Sequence, residues 1–314
     1  MKKLTKKLRT NIKVVGVGGS GGNAISRMKK ANLKGVELIA INTDYQDLKK
    51  IQSDVKIRIG EKITQGLGTG MKPQIGELAA RESRDRIFES LKGADMIFIT
   101  GGLGGGTGSG ASPVVAQIAK NTGALIVAIV TLPFFFEGVY RRKIAEVSKK
   151  LLQQKVDALL VIKNDKLFHY LDPTTSLLNA FWLCDDVLRE AVKGISDLIM
   201  LPGIVNIDFA DVKSILKNSG SVLFGVGRAK GEKRALEATA LALNSPLLDI
   251  KPTGAKGVLF NVSGGEDISL FEIEEIGKII TKEINPKAKV IFGAVHDEQL
   301  RKGEIKVTVI VTGF

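Results

Sequence analysis

Seven of the ten residues from 101 to 110, "GGLGGGTGSG", are glycine, and the run lies between apolar "ADMIFIT" (94–100) and helix-like "SPVVAQIAKNTG" (112–123). Backbone without Cβ atoms can approach phosphate oxygens closely. A following helix adds unpaired N–H groups and the positive end of its dipole. Thr107 and Ser109 add hydroxyl donors. A second glycine run, "GVGGSGGN" (16–23), and a third, "QGLGTG" (65–70), repeat the arrangement, and no G-x-x-x-x-G-K-[ST] occurs in the chain. The chemistry is phosphate binding outside the P-loop class. Gly16, Gly18 and Gly21 also satisfy G-x-G-x-x-G, and Asp44 lies near the distance expected for a ribose contact, so a dinucleotide oxidoreductase is the competing reading. Two phosphate-grade loops from different strands favour one polyphosphate gripped from two sides.

A second group with chemical potential is Asn206, Asp208 and Asp211 in "PGIVNIDFADVK" (202–213). Spacing alone leaves two uses open: a helix N-cap, the commoner role of such residues, or catalytic carboxylates. The lone cysteine, Cys184, rules out a disulfide framework and a thiolate metal cage. His169 and His296 have no ligand-spaced partner and read as structural or surface residues, and Trp182 and Cys184 as core.

The elements that must position these residues alternate. Strands are expected at 12–18, 36–42, 95–100, 124–131 and 158–162, with helices near 22–32, 73–91, 112–121 and 141–154. The strands are continuous apolar runs, as in a parallel sheet covered on both faces. The expected fold is α/β, a doubly wound and mostly parallel sheet whose ligands sit at the strand carboxyl ends. A long helix over 174–201 starts among Ser/Thr and stops at Pro202-Gly203. Its apolar residues nearly encircle its middle, which places it between two halves. Strands at 221–227, 257–265, 288–295 and 304–313, with helices near 231–244 and 269–284, form a smaller α+β C-terminal domain. The expected organisation is a basic arm (1–10), a nucleotide-binding domain (11–172), a central helix (173–201), a catalytic loop (202–212) and a C-terminal domain (213–314).

Composition sets outer bounds. With 44% hydrophobic and 25% charged residues, the 314-residue chain has an ordinary globular balance. The longest apolar run, 123–136, is too short to span a bilayer, and a cytoplasmic protein is expected. The net charge of +13 is unevenly spread: Lys2, Lys3, Lys6, Lys7, Arg9 and Lys13 carry six positive charges with no acid among the first thirteen residues. Such an arm suits an anionic membrane, or is simply a solvated terminus. Aromatic residues are 5% and do not interleave with basic ones, so no specific nucleic-acid partner is expected.

"GGLGGGTGSG" resembles the G-G-G-T-G-[ST]-G signature of the tubulin/FtsZ superfamily. "IKVVGVGGSGGNAISRM", "INTD", "GLGTG", "PFFFEG", "NDKL" and "NIDFAD" follow the motif order of the FtsZ family of bacterial cell-division proteins, from about residue 11 to the last. The resemblance implies a GTPase that polymerises head to tail into protofilaments at the division site. It implies GTP/GDP contacts from Gly18, Gly19, Ser20, Gly21, Gly22, Asn23, Gly68, Gly70, Gly104, Gly105, Gly106, Thr107 and Gly108. Glu137, Arg141 and Asn164 correspond to sugar, phosphate and nucleoside contacts, and Phe181 packs on the base. Asp185 matches the guanine-reading position, where a carboxylate accepts the paired N1–H and N2–H₂ donors. Mg²⁺ is expected on the phosphates and water, without a dedicated protein metal site.

With the helix start at the base, its far end, roughly 40 Å away, cannot reach the same γ-phosphate. Asp208 and Asp211 would then orient water on a neighbouring copy's GTP, with Asn206 on the phosphates or ordering the loop. Such a heterologous contact builds an open filament. Ser20, Thr69, Met71, Lys72 and Phe135 depart from the family pattern and put affinity and turnover at issue, which keeps a GTP-binding scaffold with weak hydrolysis in view. The family also implies membrane-anchor or division proteins as partners.

Overall fold

The computed structural model describes residues 10–172, 174–200, 203–245, 254–265, 267–282, 284–297 and 300–314. The basic arm through Arg9, Pro202 and the side chains of 168–170, His169 included, lie outside the described residues. Strands β1 (Ile12–Val17), β2 (Val36–Asn42), β3 (Val55–Arg58), β4 (Met96–Gly102), β5 (Leu125–Leu132) and β6 (Ala158–Lys163) form the first half. β7 (Gly203–Val205), β8 (Gly220–Lys230), β9 (Gly257–Gly264), β10 (Lys289–His296) and β11 (Glu304–Thr312) form the second. The helices are α1 (Gly18–Lys30), α2 (Tyr45–Lys50), α3 (Glu61–Thr64), α4 (Pro73–Glu82), α5 (Arg84–Leu91), α6 (Gly106–Lys120) and α7 (Val139–Gln153), then α8 (Leu177–Met200), α9 (Phe209–Leu216), α10 (Arg234–Leu243) and α11 (Leu270–Lys282).

The first six strands run parallel in the order β3-β2-β1-β4-β5-β6. β1 and β5 bury every residue, as expected of apolar strands covered twice. Ile12 and Val14 face Ile25 and Met28 of α1 and Leu188 of α8. Val15 and Val17 face the opposite layer, where α4, α5, α6 and α7 contribute Ala79, Ile87, Val115 and Leu152. The two halves share one sheet: β8 pairs parallel to β6 over Ala158↔Gly220, Leu159↔Ser221 and Leu160↔Val222. Beyond β8 the sheet turns mixed, with β11 antiparallel to both β8 and β9, β10 parallel to β9, and β7 at the edge.

α8 lies under both halves. Leu188, Ala191, Val192, Ile195 and Leu198 share one core with Phe98 and Val127 from the first half and Phe224, Leu259 and Ile310 from the second. At Gly194 a Cβ would stand 2.9 Å from Phe224 Cζ, so the helix rides close to the sheet. Its first turns are different: Leu177, Leu178 and Trp182 are exposed, and Arg27 lies 5.1 Å from the Trp182 ring centre. Trp182 is therefore a surface residue and not core, whereas Cys184 is buried as expected.

Three boundaries also differ from expectation. α1 and α6 begin at Gly18 and Gly106, inside the glycine runs, because those glycines are packed rather than loose. The expected helix 73–91 divides at Ser83, whose hydroxyl accepts the Gly60 N–H at 3.3 Å. Lys13 is not part of a free cationic arm: it is buried in β1, pairs with Glu37 at 2.9 Å and donates to the Ser90 carbonyl at 2.8 Å. No described helix is long and apolar enough to cross a membrane.

Candidate functional site

Carboxyl ends of β1, β4 and β5 converge on a cavity of ≈ 330 Å³. Gly18, Gly19 and Ser20 line it from the start of α1, and Gly105, Gly106, Thr107 and Gly108 from the start of α6. Two helix N-termini thus bring unpaired N–H groups to one space. Neither helix carries an acid in its first turn, so no carboxylate occupies the positive end of either dipole. The arrangement suits a multiply charged anion.

The glycines of this cradle sort into two kinds. At Gly106 a Cβ would stand 2.1 Å from Thr69 Oγ1, at Gly108 2.6 Å from the Gly102 carbonyl oxygen, and at Gly110 1.9 Å from the Pro73 carbonyl oxygen. Gly21 is wedged against Gly16 and the Thr100 carbonyl, and Gly22 against Ile51. These positions hold α1 and α6 tight against their neighbours. Gly105 and Gly70 have open space where a Cβ would go, and Gly105 lines the cavity. Gly105 has φ −91°, ordinary for any residue, so the emptiness beside it concerns the cavity and not the backbone. Gly18 (φ +74°) and Gly104 (φ +109°) need the left-handed region; Gly68 also has positive φ and lies outside the cavity lining.

Hydroxyls complete the phosphate end. Thr107 Oγ1 is 2.7 Å from Thr43 Oγ1 and 3.5 Å from Thr69 Oγ1. Ser109 does not face the cavity as a free donor: its Oγ accepts the Gly104 N–H at 2.8 Å and it is buried. Sequence reasoning did not single out Thr43 or Thr131; Thr131 lines the cavity, and "INTD" carried the signal for Thr43. Lys72 is exposed, and Phe135 is 74% exposed with the Arg142 guanidinium 5.9 Å from its ring centre.

At the other end of the cavity stand Glu137, Arg141, Asn164 and Phe181. Glu137 accepts the Phe134 N–H at 2.9 Å and the Arg141 guanidinium at 2.8 Å. Asn164 is buried, and its Oδ1 has no hydrogen-bond partner, an orphan acceptor at the cavity wall. Phe181 packs edge-on to Phe134 at 5.5 Å. Asn23 is exposed on α1, and neither it nor Asp185, one turn along α8 from Phe181, lines the cavity. Asp185 is buried and accepts Arg27 Nε at 3.1 Å. Burial pushes its carboxyl up to about 6, with the Arg27 bond pulling the other way. Arg27 had no sequence signal; three-dimensional packing of α1 on α8 brings it there.

The remaining predicted residues lie elsewhere. Asn206, just after β7, accepts through its Oδ1 the N–H of Gly203, the first residue of that strand, at 2.6 Å. Asp208 takes the N-cap position of α9 without a side-chain cap bond, and Asp211 sits in the first turn. Neither carboxylate has a hydrogen-bond or ion-pair partner among the described residues. This loop lies at the amino ends of the parallel strands: a Cβ at Gly35, just before β2, would meet Met200, the last residue of α8, at 2.3 Å. From Phe181 the rest of α8 runs to Met200, about 29 Å at 1.5 Å per residue, before the chain reaches the loop. Asn206, Asp208 and Asp211 are therefore not brought to the cavity of their own chain.

Asp44, the support for a dinucleotide enzyme, caps α2 by accepting the Asp47 N–H at 3.0 Å. The family described as Tubulin/FtsZ, GTPase domain, matches residues 11–172, and the FtsZ family C-terminal domain matches 220–314. Neither supports the oxidoreductase reading. Among solved structures, an empty FtsZ dimer from M. jannaschii is 47% identical, with TM-score 0.92, over 98% of this chain and 89% of that one. CetZ2 from Haloferax volcanii, a GTPγS-bound protofilament, shares the fold at 22% identity, with TM-score 0.81, over 97% and 94%. CetZ1 from the same organism, a GDP-bound monomer, matches at 22% identity and TM-score 0.83 over the same shares. The chain belongs to the tubulin/FtsZ family of polymerising GTPases.

Proposed function

We propose that this GTPase assembles head to tail into protofilaments for cell division, and that each bound GTP is hydrolysed with Asp208 and Asp211 supplied by the next copy. The observation that carries this reading is the separation of two incomplete halves. The glycine cradle sits at one end of the parallel strands, and two carboxylates without partners among the described residues sit at the other, about 29 Å along α8 from Phe181. One copy stacked on another brings the halves together, and a contact between different surfaces propagates as an open filament.

In this reading Gly18, Gly19, Ser20, Gly105, Gly106, Thr107 and Gly108 hold the phosphates, with Gly21, Gly22 and Gly104 supporting the two helix starts and Gly68 and Gly70 closing over the γ-phosphate. Glu137, Arg141, Asn164 and Asn23 contact the sugar and nucleoside, and Phe181 packs on the base. Asp185, whose ionised form Arg27 favours against the effect of burial, accepts N1–H and N2–H₂ of guanine. Asp208 and Asp211 orient and polarise the attacking water while Asn206 orders their loop. Catalysis is positioning and charge stabilisation.

Among the described residues Glu137 is the one carboxylate lining the cavity, and it is held by Arg141. No group of three potential metal ligands occurs among the described residues. That donor set fits Mg²⁺ carried by the phosphates and water, where it would neutralise phosphate charge. The reading also places the protein in the cytoplasm at the division site, with membrane-anchor or division proteins as partners and the arm through Arg9 against anionic lipid.

A mixing experiment tests the shared site. Asp211→Ala copies keep the cradle, and Gly105→Val copies keep the carboxylates while filling the cavity. Each alone should release little phosphate from GTP, and a co-sedimenting mixture should recover a sizeable fraction of wild-type turnover. Co-sedimenting mixtures that stay inactive would sink the reading. Turnover per subunit should also rise above a threshold concentration; a flat profile would mean that the carboxylates do not work in trans.

A further inference from the structure

Behind the cradle, α4, α6 and α7 enclose a groove of ≈ 1010 Å³, about three times the volume of the phosphate cavity. Val114 and Ile118 line one wall from α6; Ile144, Val147 and Leu151 line the other from α7, with Tyr140 at one end. Tyr140, Val147 and Leu151 are 63%, 61% and 48% exposed. Along α7 the positions 140, 144, 147 and 151 form one helical stripe. Ala145 and Leu152, about a third of a turn round the helix, are already buried in the core. α7 therefore carries more apolar surface than its own fold covers, and an exposed patch of this kind marks an interaction site.

Charge identifies the occupant. Arg84, Lys143 and Lys155 stand on the groove, and none has a carboxylate partner among the described residues. Glu77, the single acid on the lining, is neutralised by Arg81, which donates to it at 3.0 and 2.8 Å. The groove runs from Tyr140 to Lys155, fifteen residues of rise or about 22 Å, the length of four helical turns. We propose that this groove docks an amphipathic α-helix of a partner protein, with apolar residues at i, i+3 or i+4, i+7 and i+11, and Asp or Glu flanking them. A second copy is a poor occupant, because the chain carries +13 and would bring cations to cations. A bilayer is poor as well, since the apolar walls face each other across a concavity. The floor is the back of the glycine loop: Ser148 Oγ donates to the Ser109 carbonyl at 2.7 Å, and Ser109 Oγ accepts the Gly104 N–H.

The test is selection of a display library of 15-residue helices against the full chain, with the apolar stripe fixed and the flanking positions randomised. Enriched peptides should be rich in Asp and Glu and should bind Val147→Asp or Leu151→Asp at least tenfold more weakly. The double variant Arg84→Glu, Lys143→Glu should select Lys and Arg instead, a gain that misfolding does not produce. The proposal is overturned if nothing enriches, if enriched flanks show no charge preference, or if binding ignores Val147→Asp. It is also overturned if Val147→Asp instead lowers self-association in sedimentation equilibrium, or removes binding to anionic phospholipid vesicles, because the occupant would then be a second copy or a membrane.

Discussion

The two ends of α8 are built in opposite ways. At the cradle, close approaches leave almost no freedom: backbone and side-chain atoms stand where Cβ atoms would be at Gly16, Gly21, Gly106, Gly108 and Gly110, and the hydroxyls of Thr43, Thr107 and Ser109 are all engaged. At the far end, Asn206 accepts the Gly203 N–H, Ile207 is buried against Gly293, and Asp208 and Asp211 have no side-chain partners among the described residues. A binding site gains from donors fixed before the ligand arrives. Beyond their place at the N-terminal end of α9, these two carboxylates make no side-chain bond to the described residues, which leaves them available to a neighbouring copy on the proposed reading. On the proposed reading the contrast separates nucleotide binding, which one copy would complete, from hydrolysis, which would need two.

The sharpest way to break this contrast is at the carboxylates. Asp211→Ala should lower GTP turnover by about 10²-fold or more, the range for a lost acid–base or orienting group. GTP affinity and thermal stability should stay near wild type, as expected where no internal partner is lost. A comparable loss of affinity, measured by fluorescent-nucleotide titration, would place Asp211 in its own chain's site and end the comparison. Asp208→Ala should behave alike, with a small added effect on α9 because Asp208 sits at its N-cap position.

The cradle offers the converse pair. Gly110→Ala puts a Cβ 1.9 Å from the Pro73 carbonyl oxygen and should destabilise the fold by about 1–3 kcal/mol, the range for overpacking. The Cβ that Gly105→Val adds has no atom within 4 Å beyond its chain neighbours, and φ there is ordinary, so unfolding should be little changed while GTP binding falls at least tenfold. If Gly105→Val destabilises as much as Gly110→Ala, the division into packing and ligand glycines is wrong.

Much of this was legible in the residues. Continuous apolar strands announced a covered parallel sheet, and the long apolar helix announced its place between two halves. The glycine runs announced a phosphate site but misplaced the helix starts, because glycine disfavours helix wherever a Cβ is welcome. Here Gly106, Gly108 and Gly110 sit in helix because their neighbours exclude one. Trp182 read as core from its place in an apolar helix, yet the first turns of α8 overhang the cavity mouth and Trp182 meets Arg27. Lys13 read as part of a basic arm, yet Glu37 on the neighbouring strand claims it. Joining of the halves through β6 and β8 depends on residues about sixty positions apart, which local pattern cannot pair. The Arg27–Asp185 bond is of the same non-local kind.

That bond supports the smallest expected effect. Asp185 has a raised carboxyl of about 6 because burial outweighs its bond to Arg27. The folded chain therefore binds more protons than the unfolded chain between roughly pH 4 and 6, and this group's contribution to stability is present at low pH and lost as pH rises through about 6. Guanine recognition runs the other way, since only the ionised carboxylate accepts both guanine donors. At pH 5 roughly a tenth of the Asp185 carboxyls are ionised, so GTP affinity should fall about tenfold between pH 8 and 5, or about 1.4 kcal/mol. The triphosphate also titrates in this range, and Asp185→Asn isolates that part: its weaker affinity should change only by the phosphate contribution. Parallel pH slopes for wild type and Asp185→Asn would remove Asp185 from guanine reading. Arg27→Met should move the wild-type transition to higher pH, because the cation that favours the ionised form is gone while the packing under Trp182 is kept.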